Sequence, residues 1–217
     1  MNTDMNSPTT VLLFGDSPQP RALTALPALR ADDTAGIDEA AHGARRLVVV
    51  GSDADLAAVL SRLMRTDTLD VEVAHVAPGP RSWLAARRAV SGSARRVPLI
   101  RDDTGTALVG TALWLPPQDG AALHGEAVVD DTVLFDGDVA GVRIEPTAEM
   151  PGLRAAVLAR PGRGAPVLGS PRRRWVAGRA AQLGTTGAQV VRDGVPGARP
   201  VKRSTFYRHT TGWLRVS

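Results

Sequence analysis

A five-residue loop between an apolar run and an amphipathic segment has the residue types of an anion-binding site. In LVVVGSDADLAAVLSRL, residues 47–63, a buried strand is predicted to end at Gly51 and a helix to follow. The first turn of a helix leaves backbone N–H groups free and carries partial positive charge, so Gly51, Ser52, Asp53 and Asp55 are candidate phosphate-binding residues. The same residues fit a purely local role, because Ser52 or Asp53 would cap the helix and Asp55 follows Ser52 at capping-box spacing. The sequence leaves both interpretations open.

Two pairs of adjacent aspartates are further candidates for chemistry. Asp102 and Asp103 in IRDDTG, and Asp130 and Asp131 in VVDDTV, carry the carboxylates that bind hard cations or act as acid and base. Both pairs lie in predicted hairpin turns, where aspartate and glycine are preferred for local geometry alone. The sequence therefore favours a structural role for them over a metal site.

Basic residues are concentrated in the last third of the chain. Residues 151–217 contain 13 lysines or arginines against one acidic residue, a net charge of +12; since the whole chain carries +4, residues 1–150 carry −8. The run Arg172, Arg173 and Arg174 is the candidate centre of a basic surface, because the guanidinium fork suits phosphate. Such a surface would bind a phospholipid headgroup, an anionic membrane or, with nearby aromatic residues, single-stranded nucleic acid. Alternatively, the two halves neutralise each other and the aromatic residues form the core.

Composition excludes several classes of protein. The chain has 217 residues and no cysteine, which excludes a disulfide framework, a thiolate metal site and a cysteine nucleophile. Its four histidines are scattered without the spacing of zinc ligands. No apolar run reaches the roughly 18 residues of a membrane-spanning helix, and the first ten residues lack a secretory signal pattern. We therefore expect a cytoplasmic protein, with peripheral membrane attachment left open.

The predicted elements divide the chain into two domains. In the first, residues 1–92, buried strands alternate with helices, including helices over residues 21–31 and 81–89. This order predicts an α/β domain in which helices flank a parallel sheet. In the second, residues 93–217, short strands and turn signals recur about every 8–12 residues, which predicts an antiparallel β-sandwich.

The order of these elements and the loop after the second strand resemble the diacylglycerol kinase and related lipid kinase family, whose fold is similar to that of NAD kinases. In that family a strand runs into Gly-Gly-Asp-Gly-Thr and then a helix. Here Gly51 and Asp53 match the pattern, while Ser52, Ala54 and Asp55 depart from it.

Two further motifs of the family have partial counterparts. Its second loop, Pro-x-Gly-Thr-x-Asn-Asp, corresponds to APGPRSWLAARR, in which Gly79 matches and Arg81 is a further phosphate candidate. Its C-terminal Asp-Gly-Glu corresponds to RDGVPG, in which Asp193 and Gly194 match and Val195 replaces the glutamate. Asp193 thereby joins the metal candidates Asp102 and Asp103.

The resemblance implies a nucleotide-binding α/β domain followed by a β-sandwich, with ATP and Mg²⁺ as cofactors only if the chain is active. The departures imply impaired catalysis. Side chains at Ser52 and Ala54 narrow the space for phosphate, Asp55 puts a carboxylate beside a polyanion, and Val195 cannot accept a proton. The favoured hypothesis is a catalytically impaired lipid-kinase-like protein that binds a phosphate-bearing ligand, such as a nucleotide or a phospholipid headgroup, or a protein partner.

Two alternatives stay open at this point. An active ATP-dependent diacylglycerol or lipid kinase would use Asp53 and one of the aspartate pairs as rearranged catalytic groups. A basic binder of anionic lipid or nucleic acid would use the C-terminal arginines instead. The sequence identifies neither the ligand nor the cofactor, and it leaves homodimer formation open.

Overall fold

The computed structural model of the chain describes residues 9–31, 33–118, 120–159 and 174–217. These residues divide into two compact units. The first consists of the described residues up to Val97 together with Thr211–Ser217, and the second of those within Pro98–Thr210.

The first unit is a largely parallel sheet with one antiparallel edge strand and with helices on both faces. Its elements, in chain order, are β1 (Thr9–Leu13), a 3-10 turn (Arg21–Leu23), β2 (Ala28–Arg30), α1 (Thr34–Ala41), β3 (Arg46–Val50), α2 (Asp53–Arg65), β4 (Glu72–Val76), α3 (Ser82–Ser91) and β5 (Ala94–Val97). Every residue of β3 is buried, as expected for a central parallel strand covered on both faces. Alternate side chains of β3 face α3, and the others face α1 and α2 on the opposite side. Of the helices formed by the described residues, none has the length and apolar character needed to cross a membrane.

The helices α1 and α2 are joined by an ion pair on their outer surface. Arg62 of α2 donates two hydrogen bonds of 2.6 Å to the carboxylate of Asp38 in α1. These hydrogen bonds hold the pKa of the Asp38 carboxyl below its usual value. The pair therefore helps to fix α2, the helix that follows the candidate loop.

The predicted helix over residues 21–31 is wrong. A 3-10 turn and the strand β2 occupy that stretch, and β2 pairs in parallel with β1. Pro27 lacks a backbone N–H group and disfavours helical conformation in the residue before it. The free edge of β1 offers this segment backbone partners that an isolated helix would not have, as in the hydrogen bond from Val11 N–H to the Pro27 carbonyl at 2.8 Å.

The second unit is built from antiparallel strands. They are β6 (Ile100–Asp102), β7 (Ala107–Leu108), β8 (Ala112–Leu115), β9 (Leu123–Val129), β10 (Thr132–Val139), β11 (Val142–Pro146), β12 (Leu153–Val157), β13 (Val176–Gly178), β14 (Ala180–Arg192), β15 (Val195–Pro196) and β16 (Val201–Arg208). The first half of the long strand β14 pairs with β9 and β16, and its second half pairs with β8. The strands that pair with these two halves share one hydrophobic core, in which the ring centres of Trp114 and Phe206 lie 6.0 Å apart. This architecture confirms the predicted α/β domain followed by an antiparallel β domain.

The last strand returns to the first unit. Strand β17 (Trp213–Val216) lies between β4 and β5, so that the sheet order is β2-β1-β3-β4-β17-β5. The predicted domains, residues 1–92 and 93–217, assign this segment to the second domain, and the observed division differs in placing it in the first. The alternating pattern of GWLRV specifies a strand, but it does not specify which sheet supplies the partner.

Candidate functional site

The candidate loop lies at the carboxyl edge of the parallel sheet. Strand β1 is bordered by β2 on one side and β3 on the other, so the order of the strands reverses between β1 and β3. Ligands of open parallel α/β sheets bind outside the carboxyl ends of the strands at such a switch point. The loop after β1, residues 14–17, and the loop after β3, Gly51–Ser52, face this position.

The loop after β3 is held close to its neighbours by backbone hydrogen bonds. Gly51 N–H donates to the Val76 carbonyl at 3.3 Å, and Phe14 N–H donates to the Val50 carbonyl at 3.1 Å. A Cβ atom at Gly51 would lie 2.6 Å from a carboxylate oxygen of Asp55 and 3.0 Å from the Cβ of Phe14. Glycine is therefore required here by close approach.

A complete capping box closes the start of α2. Asp55 N–H donates to the Ser52 Oγ at 3.3 Å, and the Ser52 N–H and hydroxyl donate to the Asp55 Oδ2 at 2.7 and 2.8 Å. The predicted capping box is thus confirmed, with Ser52 rather than Asp53 as the N-cap residue. The Asp55 carboxylate accepts the N–H group that would otherwise be available to an anion, and it lies directly above Gly51.

His75 is the residue at this site that sequence analysis missed. It lies in β4 beside Val49 of β3, with its Nε2 2.9 Å from the Gly51 carbonyl and its Nδ1 3.8 Å from the Asp53 Oδ1. Because a carbonyl oxygen only accepts, Nε2 carries a proton, and Nδ1 is the nitrogen that faces Asp53. His75 could have been identified from the register of the two parallel strands, because that register places the penultimate residue of β4 next to the end of β3.

The second predicted loop lies at the same edge, after β4. Gly79 adopts φ of +148°, a conformation that favours glycine, and a Cβ there would meet no atom within 4 Å. Arg81 precedes α3 at its N-cap position and makes no side-chain capping hydrogen bond. The structure thus brings Gly51, Ser52, Asp53 and Asp55 together and places Gly79 and Arg81 in the next loop along the edge.

The aspartates considered as metal ligands lie in the second unit, where their carboxylates accept hydrogen bonds from the protein's own turns. Asp102 accepts from the N–H groups of Thr104 and Thr106, both at 2.9 Å. Asp193 accepts from three consecutive N–H groups beginning at Val109, at 2.7–3.1 Å. Asp103 is exposed in the turn after β6. These contacts support the structural role that the turn contexts favoured.

The predicted basic surface is only partly within the described residues. Arg172 and Arg173 lie outside them, and Arg174 is exposed. Of the aromatic residues nearby, Phe206 is fully buried in the core of the second unit. The guanidinium carbon of Arg154 lies 4.4 Å from the centre of the Trp175 ring, so the two side chains stack.

The Asp55 carboxylate at the carboxyl edge does not fit the ATP phosphates that the resemblance implies. A phosphate approaching Gly51 would meet the Asp55 carboxylate, which repels an anion and already accepts the Ser52 N–H and hydroxyl. Within the described ranges, no three histidine, aspartate or glutamate side chains are grouped so that they could hold a metal ion. Phosphate binding to the Ser52 N–H would require the capping box to open.

We expect Ser52→Ala to lower the free energy of unfolding by about 0.5–2 kcal/mol, because it removes the N-cap acceptor and one donor to Asp55. Asp53→Ala, at the first helical position, loses an interaction with the helix dipole and an exposed contact with His75, and is expected to cost about 0.3–1 kcal/mol. Urea unfolding followed by circular dichroism measures both variants. A larger loss for Asp53→Ala than for Ser52→Ala would contradict the assignment of the cap.

Solved structures share the architecture of the whole chain. The crystal structure of a diacylglycerol kinase from Bacillus anthracis str. Sterne is 12% identical in sequence, with a TM-score of 0.72 and coverage of 97% of this chain and 96% of that one. An NAD kinase from Archaeoglobus fulgidus in complex with ATP is 12% identical, with a TM-score of 0.62 and coverage of 96% and 93%. No protein-family model matches the sequence, and no curated protein matches it. The chain has a diacylglycerol kinase/NAD kinase-like fold, as the resemblance of the motifs implied.

Proposed function

We propose that the chain is a catalytically impaired protein with a lipid-kinase-like fold, which binds a phosphate-bearing ligand or a protein partner without transferring phosphate. The observation that carries the proposal is the Asp55 carboxylate, which accepts hydrogen bonds from the Ser52 N–H and hydroxyl at the start of α2. A phosphate that approached the Ser52 N–H would have to compete with this carboxylate for it.

Electrostatic repulsion by the Asp55 carboxylate opposes the binding of a polyphosphate at this loop. A polyphosphate carries several negative charges, and two unit charges about 4 Å apart near a protein surface interact with about 4 kcal/mol. The side chain at this point is itself an anion, so the favourable field of the helix N-terminus is already neutralised by Asp55. The carboxylates of Asp53 and Asp55 therefore make the loop a poor site for the phosphates of a nucleotide.

The C-terminal motif supports the same conclusion. Activation of a lipid hydroxyl needs a group that accepts its proton. Val195, which replaces the glutamate of the family motif, is a hydrocarbon side chain that is 54% exposed in β15. Asp193, two residues earlier, accepts three backbone hydrogen bonds and serves as a turn clamp.

A second candidate function, an active ATP-dependent lipid kinase, is favoured by one observation. The Asp53 side chain is 49% exposed at the β1/β3 switch point, takes no part in the capping box, and lies beside His75. In such an enzyme Asp53 and His75 would act at the phosphate after Asp55 had turned away.

Calorimetric titration with ATP·Mg²⁺ tests the proposal on three proteins. We expect no measurable binding by the natural chain, since the Asp55 carboxylate opposes phosphate. Asp55→Asn, which removes the charge and keeps the size, is expected to bind weakly, and the double variant Ala54→Gly/Asp55→Thr more tightly. Ala54→Gly alone is the matched control, because it relieves the steric restriction and leaves the carboxylate in place.

The same proteins are assayed for phosphate transfer from labelled ATP to diacylglycerol. We expect the natural chain to be indistinguishable from a reaction without protein. Product formation that Asp53→Ala abolishes would establish the active kinase instead. Tight ATP binding by the natural chain, weakened by Asp55→Asn, would make Asp55 a ligand contact and would also overturn the proposal.

A further inference from the structure

The large hydrophobic residues of helix α3 are exposed to solvent, although a helix that covers a sheet usually buries such residues against it. The residues that it buries are small, Ala86 and Ala89, and they pack with residues of the sheet core such as Val76. Its large hydrophobic residues face outward instead: Trp83 is 56% exposed and Val90 is 47% exposed. Leu84, at 38%, extends the same outer face.

The helix α2 of the same sheet shows the usual arrangement. It buries Leu56, Val59, Leu60 and Leu63 against the sheet, at the spacing of one helical face. Helix α3 therefore lies close to the sheet through alanines and presents a tryptophan, a leucine and a valine to the surroundings. Large apolar residues exposed on one helix are candidates for an interaction surface.

The charges on α3 and on the residues that flank it in the sequence have one sign. Arg81, Arg87 and Arg88 are all exposed, and residues 73–101 contain no aspartate or glutamate. Within the described part of the chain, none of these three arginines forms an ion pair or a side-chain hydrogen bond. We define the outer face of α3 by these three arginines together with Trp83, Leu84 and Val90.

A buried arginine fixes the position of this face. The Arg46 guanidinium donates hydrogen bonds of 2.9 Å to the carbonyls of Ala89, Val90 and Gly92 at the end of α3. It is held in turn by Glu72, 2.7 Å from its Nε. The outer face is therefore presented on a helix whose C-terminal end is anchored to the sheet.

We propose that the outer face of α3 binds the surface of a bilayer that contains anionic phospholipids. Helices that lie in the membrane interface combine tryptophan and leucine on the apolar side with arginine or lysine around it. The indole of Trp83 suits the headgroup level, and Leu84 and Val90 suit the acyl boundary. The guanidinium groups of the three arginines suit lipid phosphates.

This chemistry fits a membrane better than a nucleic acid. Proteins that bind single strands place aromatic residues in a positively charged groove, where successive bases stack. The outer face of α3 is the convex side of a single helix with one aromatic residue, Trp83. The interaction is also independent of the loop at the start of α2 and of its capacity for nucleotide.

Co-sedimentation with two kinds of vesicle tests the proposal. We expect the protein to bind vesicles of phosphatidylcholine that contain roughly one third phosphatidylglycerol, because each basic residue near an anionic surface strengthens binding about fivefold. Binding to pure phosphatidylcholine is expected to be much weaker, and raised salt should reduce binding to the anionic vesicles. Anionic vesicles should also shift the tryptophan emission to the blue, and Trp83→Phe should abolish that shift.

Two triple variants with the same change in charge decide whether α3 is the surface. Arg81→Gln/Arg87→Gln/Arg88→Gln is expected to weaken binding to the anionic vesicles about 100-fold, at about fivefold for each arginine. The matched control replaces three exposed basic residues of the second unit: Arg199→Gln, Lys202→Gln and Arg203→Gln. It should reduce binding by less than about tenfold, because those side chains do not belong to the outer face of α3 and would act through the net charge of the chain alone.

Leu84→Ser tests the apolar part of the surface separately from the charges. It is expected to weaken binding without changing the salt dependence, and circular dichroism checks that α3 remains folded. Equal loss in both triple variants would reduce the effect to nonspecific attraction and overturn the proposal. Absence of vesicle binding, or concentration-dependent dimerisation that Leu84→Ser abolishes, would overturn it as well, in the second case in favour of a second copy of the chain.

Discussion

Replacement of Arg46 by methionine is expected to lower the free energy of unfolding of the first unit by about 3–5 kcal/mol, the usual loss when one partner of a buried ion pair is removed. Arg46 is only 9% exposed, and its guanidinium satisfies Glu72 together with three carbonyls at the end of α3. Methionine has similar length but donates no hydrogen bond, so the Glu72 carboxylate and the three carbonyls lose their buried donor. Arg46→Lys should recover only part of the loss, because one ammonium group cannot reproduce the planar fork.

The neighbouring arginine provides a matched control for this prediction. Arg45 also pairs with Glu72, at 3.3 Å, but its side chain is 69% exposed. Arg45→Met should therefore cost only about 0–1 kcal/mol. Denaturant unfolding measures both variants, and hydrogen exchange at the amide of Gly92 reports directly on the end of α3. Equal decreases in the free energy of unfolding for Arg46→Met and Arg45→Met would mean that the burial of Arg46 does not add to the stability of the first unit.

Removal of the Asp102 carboxylate by substitution with alanine is expected to cost the second unit about 3–5 kcal/mol, because it leaves a largely buried charge without its partner. Asp102 is fully buried, and its Oδ2 lies 2.5 Å from the Nε of Arg192. Its other oxygen accepts from the Thr104 N–H and hydroxyl and from the Thr106 N–H at 2.7–2.9 Å. The substitution therefore removes the ion pair and the hydrogen bonds that close the turn after β6.

Two comparisons make the Asp102 result interpretable. Asp103→Ala removes the exposed neighbouring carboxylate and should change stability by less than about 0.5 kcal/mol. Asp102→Asn/Arg192→Met removes both charges and keeps an acceptor for the turn. The double variant should therefore lose less stability than Asp102→Asn and Arg192→Met lose in sum. Unfolding followed by tryptophan emission measures all of them. A loss for Asp102→Ala no larger than that for Asp103→Ala would show that the buried ion pair does not stabilise the unit.

The start of α2 was accessible to sequence analysis because every contact in it is local. Ser52 and Asp55 are three residues apart, and a helix that begins after Ser52 brings their side chains together whatever the rest of the chain does. The preceding run Leu47–Val50 is apolar throughout, which already indicated a strand buried on both faces. The departure of this loop from the lipid kinase pattern followed from the same few residues.

Other features depended on partners that are distant in the sequence. His75 reaches the loop only because β3 and β4 pair in parallel with one particular register. Arg46 and Glu72 meet through the same pairing, and the carbonyls that Arg46 binds lie more than 40 residues further along the chain. Residue type alone could not distinguish buried Arg46 from exposed Arg45, because the difference arises from packing: Arg46 begins β3 and is covered by the end of α3, whereas Arg45 precedes the strand.

By itself, then, the sequence determined the two architectures, the central strand, the helix after it and the cap that closes the loop, since periodicity and local hydrogen bonding decide these within a few residues. Only the tertiary structure decided that Trp213–Val216 completes the first sheet, that residues 28–30 form an edge strand, and that α3 turns its alanines inward and Trp83 outward. These depend on which sheet edge is free and on how closely two elements approach. Both are properties of the packed chain, and a local pattern carries no information about them.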